Sequence, residues 1–125
     1  MRSFGDKTSS RAGGMATGRI YRGVRSPSGC RVYVLGPDGA APLTPRSGCA
    51  RSSFSWGTRG AGAQELAWAV IRDATGDSRL ADDWCADLGG ELVSRLPTDE
   101  FRLEAANIVA WLDASPVTPA STRRC

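Results

Sequence analysis

Apolar and polar residues alternate in the early part of this chain, and from about residue 61 onward the apolar positions recur every three or four residues. The first pattern predicts strands and the second predicts helices. Between Arg19 and Arg25, "RIYRGVR" is rich in β-branched and aromatic residues, and "SPSG" at 26–29 supplies turn chemistry. "CRVYVLG" at 30–36 then sets Cys30, Val32 and Val34 on one face and Arg31 and Tyr33 on the other. Two such runs separated by four turn residues predict a β-hairpin. Residues 37–52, "PDGAAPLTPRSGCARS", hold three prolines and read as a surface loop. "SFSW" at 53–56 alternates again and predicts a short, half-buried strand.

The helical part opens after a run of glycines. Leu66, Ala69 and Val70 share one face, with Trp68 and Ile71 beside it, a wide apolar arc that predicts burial on most sides. Gly76 suits a left-handed C-terminal cap, and Asp77 or Ser78 suits the N-cap of a second helix. That helix carries Leu80, Trp84, Leu88, Leu92 and Leu96 four residues apart, with Ala81, Cys85 and Val93 alongside. It is expected to run to the stop at Pro97, with Asp83, Asp87 and Glu91 on a solvated stripe. Gly89 and Gly90 each cost about 1 kcal/mol relative to alanine inside a helix. They mark either a kink or a close crossing with another helix. Phe101 and Leu103 predict a short extended segment, and Ala105, Ile108, Val109 and Leu112, with Trp111 nearby, a last helix.

The pattern therefore predicts an α+β fold: a small antiparallel sheet (hairpin plus short strand) packed by three helices, in one domain over residues 18–113. Residues 1–17 and 114–125 are poor in apolar side chains, and disorder is the expectation for both. Met15 offers an alternative start. A chain of 125 residues with 41% hydrophobic and 23% charged residues suits one globular domain. It contains no apolar run of membrane-spanning length, and its N-terminus lacks the apolar region of a secretory signal. A cytoplasmic protein with no membrane association is expected.

Histidine is absent, which removes the commonest general acid/base and every Ser-His or Cys-His nucleophilic site. The cysteines at 30, 49, 85 and 125 form no close pair, so zinc is disfavoured, and in a reducing compartment free thiols are expected. A non-enzymatic protein without a cofactor is the resulting expectation. Residues 1–60 carry ten basic and two acidic residues, whereas residues 61–125 carry six and eleven. Such asymmetry points to a protein partner steered by charge or to nucleic acid.

Several stretches together resemble an uncharacterised domain-of-unknown-function family of phages, plasmids and prokaryotic genomes. The resemblance rests on a Tyr-x-Gly-x-Arg opening at Tyr21, Gly23 and Arg25, and on a Trp-Gly centre at Trp56 and Gly57. A Gly-rich step, an Ala/Leu-rich helix and Gly76-Asp77 follow, and the likeness spans about residues 19–113. The chain departs from the family's usual pattern at Thr58, Ala63 and Glu65. The resemblance implies a small α+β domain in a mobile-element setting and no known activity.

Two groups of residues are candidates for anion or nucleic-acid contact. Gly57, Gly60 and Gly62 precede a helix, and bare amides at a helix N-terminus hold anions. Their spacing fits neither dinucleotide-binding nor Walker loops, so a tight entry into the helix is the stronger reading. The second group is Arg19, Arg22, Arg25 and Arg31 with Arg59, with Arg46 and Arg51 also in this half; a hairpin face exposing Arg19, Arg31 and Tyr33 together would suit nucleic acid. The four tryptophans sit in apolar patterns and are expected in the core. Protein binding, as an inhibitor or adaptor acting on a host or phage protein, is the leading expectation, with nucleic-acid binding through the Arg-rich half as the alternative.

Overall fold

The computed structural model describes residues 18–27, 29–37, 39–43 and 54–115. Four strands, β1 (Ile20–Ser26), β2 (Gly29–Gly36), β3 (Gly39–Pro42) and β4 (Glu100–Glu104), form one sheet. Their order is β3-β2-β1-β4, and every neighbouring pair is antiparallel. Three helices, α1 (Ala61–Thr75), α2 (Ser78–Glu91) and α3 (Ala105–Ala114), make the second layer. The fold is the expected α+β arrangement of an antiparallel sheet with three helices.

Strand alternation decides which side chains meet the helices. Register pairs Tyr21 with Val34 and Leu103, and Gly23 with Val32 and Phe101. Tyr21, Val32, Phe101 and Leu103 join one core with Leu66, Val70 and Ile71 of α1, Leu88 of α2, and Ile108 and Leu112 of α3. Trp84 and Trp111 add an edge-to-face contact with centroids 5.8 Å apart. Trp56 and Trp84 are buried, while Trp68 and Trp111 stay partly exposed at the margin. Trp68 turns its Nε1–H to Asp82 of α2 at 2.8 Å, pinning the two longest helices together.

The caps follow the expected chemistry. Gly76 adopts a left-handed conformation after α1, and its N–H donates to the Arg72 carbonyl. The Asp77 carboxylate accepts from the amides of Arg79 and Leu80 at the start of α2. Glu104 ends β4 and opens α3 at once, its N–H donating to Asn107 Oδ1.

Five expectations need correction. Phe54 and Trp56 are buried as alternation demands, but the described residues 54–56 form no strand, and the Ser55 N–H goes to the Gly62 carbonyl in a helix. The additional strands come from β3, inside the stretch read as a loop, and from β4. Gly39, Ala40, Ala41 and Pro42 are all exposed, so no buried alternation betrayed β3. Helix α2 stops at Glu91 and continues only as a single tight turn at Val93–Arg95. Pro97 has no N–H to donate to the Val93 carbonyl, which instead accepts from Leu96 in the tight turn and from Gly57. Asp87, placed on a solvated stripe, is 8% exposed. Finally, Cys30 is a free thiol, but Cys85 is disulfide-bonded, its partner outside the described residues, which overturns the reading of four free thiols. The expectations for residues 1–17, for most of the tail and for Met15 also lie outside the described residues; Ala114 belongs to α3.

Candidate functional site

The first half of the opening motif is spent on the core side of the sheet. Arg19 Nη1 reaches both carboxylate oxygens of Asp73 on α1, at 2.8 and 2.9 Å, and Tyr21 donates its phenol hydrogen to the same carboxylate at 2.8 Å. Burial, and then the bond to Asp73, push the Tyr21 phenol far above its usual range, so it stays a neutral donor. The bond to Asp73 likewise raises the Arg19 guanidinium. Arg19 was expected beside Arg31 and Tyr33 on an exposed face; its ion pair draws it to the helical layer instead.

Gly23 exists for contact. A Cβ there would lie 2.0 Å from Phe101 Cε2, inside the ring's own volume. Phe101 stands edge-to-face against Trp56 at 4.8 Å, and the Arg25 guanidinium lies 5.1 Å from the Trp56 ring centroid. Arg25 Nε donates to the Thr98 carbonyl at 2.7 Å and Nη2 to the Trp56 carbonyl at 3.1 Å. Gly23, Phe101, Trp56 and Arg25 thus form one stack tying β1 and β4 to the entry of α1. Arg25 is a clamp on neutral carbonyls and an aromatic face, where guanidinium geometry suits both partners.

The glycine loop also has a structural account. Gly57 sits at φ 80°, its N–H donates to Val93, and an added Cβ would meet Thr98 Cγ2 at 2.5 Å. Gly60 takes φ 141° as the N-cap of α1, with open space where a Cβ would stand, so it is needed for backbone conformation and not for packing. Gly62 lies inside the first turn and lends its carbonyl to Ser55. At Gly89 a Cβ would stand 3.3 Å from the Ala63 carbonyl oxygen, so of the two meanings offered for Gly89 and Gly90 the close helix crossing holds. Arg59 extends over Gly90, its Nη1 3.1 Å from the ideal Cβ position. That location, at the C-terminal end of α2, suits a cation.

The opposite face of the sheet has a different character. Arg22 stands directly across from Tyr33 on β2 and from Arg102 on β4. Ile20 is flanked by Leu35 and Glu104, and Val24 by Arg31 and Glu100. Ile20, Val24, Tyr33 and Leu35 remain partly exposed and belong to no part of the core. Among the described residues, no helix packs on this face. Its ion pairs are loose: Arg22 to Glu100 at 3.6 Å and Arg102 to Glu104 at 3.8 Å, all four side chains more than half exposed.

In comparison with known proteins, a family profile described as a family of unknown function (DUF6166) aligns with residues 21–114. The chain belongs to the DUF6166 family. No curated protein and no solved structure matches it.

In this DUF6166 chain, the sequence candidates divide between the two faces. Arg22 and Arg31 come together with Tyr33 on the outer face, Arg19 and Arg25 serve the inner one, and Arg59 and the glycines belong to the entry of α1. The pattern left out Arg102 and Asp73. Strict alternation in "EFRLE" was a usable signal for Arg102, whereas Asp73 is marked only by a cross-layer contact that no local pattern encodes. Among the described residues, no three His, Cys, Asp or Glu side chains are grouped to hold a metal, and no helix is long and apolar enough to cross a membrane.

Proposed function

We propose that this protein is a small, non-enzymatic binding protein whose partner is another protein, docked on the outer face of the sheet. The observation that supports it is the combination on that face of four partly exposed apolar side chains with charges of both signs. Apolar atoms there can be removed from water at about 25 cal/mol per Å², and alternating Arg and Glu positions give the polar rim that protein interfaces use for specificity. A surface for the phosphate backbone would carry mainly one sign, whereas this face sets Glu100 and Glu104 beside Arg22, Arg31 and Arg102. Arg19 and Arg25, two of the arginines that suggested nucleic acid, are engaged within the fold. A role as an inhibitor or adaptor encoded on a phage or plasmid is part of the same reading and rests on the family resemblance.

The test is capture of partners from a host lysate on tagged protein, with and without nuclease, using the native chain and a Val24→Ser, Tyr33→Ser variant. One protein retained at stoichiometric yield despite nuclease, and released by the variant, is the expected result. Material that disappears with nuclease would reverse the choice in favour of nucleic acid.

A further inference from the structure

We infer that the partner lays an acidic segment across the β1–β2 side of the outer face, its carboxylates on Arg22 and Arg31 and its aliphatic side chains on Val24, Tyr33 and Leu35. This rests on the protein-binding reading and adds the chemistry of the partner. The register gives three arginines on neighbouring strands around one aromatic ring: Arg22 faces both Arg102 and Tyr33, and Arg31 precedes Tyr33 by two residues on the same side. Like charges directly opposed across a sheet disfavour one another. Among the described residues, the Arg22–Arg102 pair is relieved by the loose contacts with Glu100 and Glu104, at 3.6 and 3.8 Å.

Those carboxylates both stand on β4, so charge is unequal across the face. Strands β2 and β3 contain no Asp or Glu, and Asp38 falls between them in sequence. No carboxylate is paired with Arg31 among the described residues, and its side chain is exposed. Beside Tyr33 and Leu35, Pro42 and Ala40 of β3 are small and exposed. An acidic segment entering over β3 meets Tyr33 beside Pro42 first and Arg22 next, with Arg31 two residues along β2, and meets repulsion from Glu100 and Glu104 if it goes further. Guanidinium groups bind carboxylates through paired, charge-assisted bonds, while Tyr33 offers an amphipathic ring at low entropic cost.

The inference is tested with short fluorescent peptides and anisotropy titration. One peptide combines Glu with Leu and Val, a second replaces each Glu by Gln, and a third replaces each by Lys; single-stranded oligothymidylate is the fourth probe. The Glu peptide is expected to bind at least about tenfold more tightly than the Gln peptide. Arg22→Glu with Arg31→Glu should abolish that preference and shift it to the Lys peptide, whereas Arg79→Glu on the helical layer should leave it intact. Equal binding of the Glu and Gln peptides, no binding of the Glu peptide, or a charge reversal that fails to switch preference overturns the acidic-segment inference. None of these outcomes touches the capture experiment, so the broader protein-binding reading stands or falls separately. Preference for oligothymidylate over every peptide contradicts both.

Discussion

The two faces of one sheet use similar residues for opposite purposes. On the inner face, every functional group of the opening motif has a partner: Tyr21 and Arg19 on Asp73, Gly23 beneath the Phe101 ring, Arg25 on Trp56 and Thr98. On the outer face the same strand presents Ile20, Arg22 and Val24, with only weak, solvent-exposed ion pairs. Exposed pairs of this kind contribute about 0–1 kcal/mol. A recognisable motif can therefore record what the fold requires. The face the motif does not occupy is the one proposed for a partner.

Substitutions sharpen this contrast. The largest loss is expected for Gly23→Ala, because the added methyl group and the Phe101 ring cannot share one position; overpacking of this kind costs about 1–3 kcal/mol and more when the neighbours are fixed. Chemical denaturation of this variant should show a collapse of stability or failure to fold. Asp73→Ala leaves the Tyr21 hydroxyl buried without an acceptor and Arg19 without its counter-ion, and about 2 kcal/mol is expected from the orphaned donor. Tyr21→Phe, which removes donor and not acceptor, should lose about 1 kcal/mol. Tyr33→Ser on the outer face should change the unfolding free energy by no more than about 0.5 kcal/mol, the range for surface substitutions, while abolishing partner capture. Equal destabilisation by Tyr33→Ser and Asp73→Ala would erase the distinction between the faces.

Alkaline pH gives a further comparison. The folded state raises the Tyr21 phenol above its ordinary value near 10, so native protein holds a proton that unfolded chain releases. Its contribution is complete below about pH 10 and falls as pH rises beyond that point, since the unfolded state then binds fewer protons. Denaturation midpoints measured on either side of pH 10 should show a decline that Tyr21→Phe lessens.

Much of the inner architecture was legible in the sequence, because local chemistry and tertiary role agree there. Alternation gave β1 and β2, Gly76 and Asp77 gave the helix boundary, and Gly89 suggested a close crossing that the packing against Ala63 bears out. Legibility failed where a long-range bond overrode a local pattern. Leu92 and Leu96 continue the four-residue repeat, but α2 ends at Glu91 and the chain passes into a tight turn whose Val93 carbonyl also takes the Gly57 N–H. Gly39–Pro42 pair with β2 through backbone alone, so no side-chain pattern marked them as a strand. The outer face was half visible: Arg31 and Tyr33 were expected to project together, but the removal of Arg19 to Asp73 and the arrival of Arg102 depend on register that only the folded sheet defines.

The most direct test of the central claim is a paired measurement of stoichiometric, nuclease-resistant partner capture for the Val24→Ser, Tyr33→Ser variant and for Arg59→Ala. The outer-face variant should fold with native stability and retain nothing, while Arg59→Ala should retain the full yield. Undiminished capture by the outer-face variant, with loss in Arg59→Ala, would move the functional surface to the entry of α1 and contradict the account.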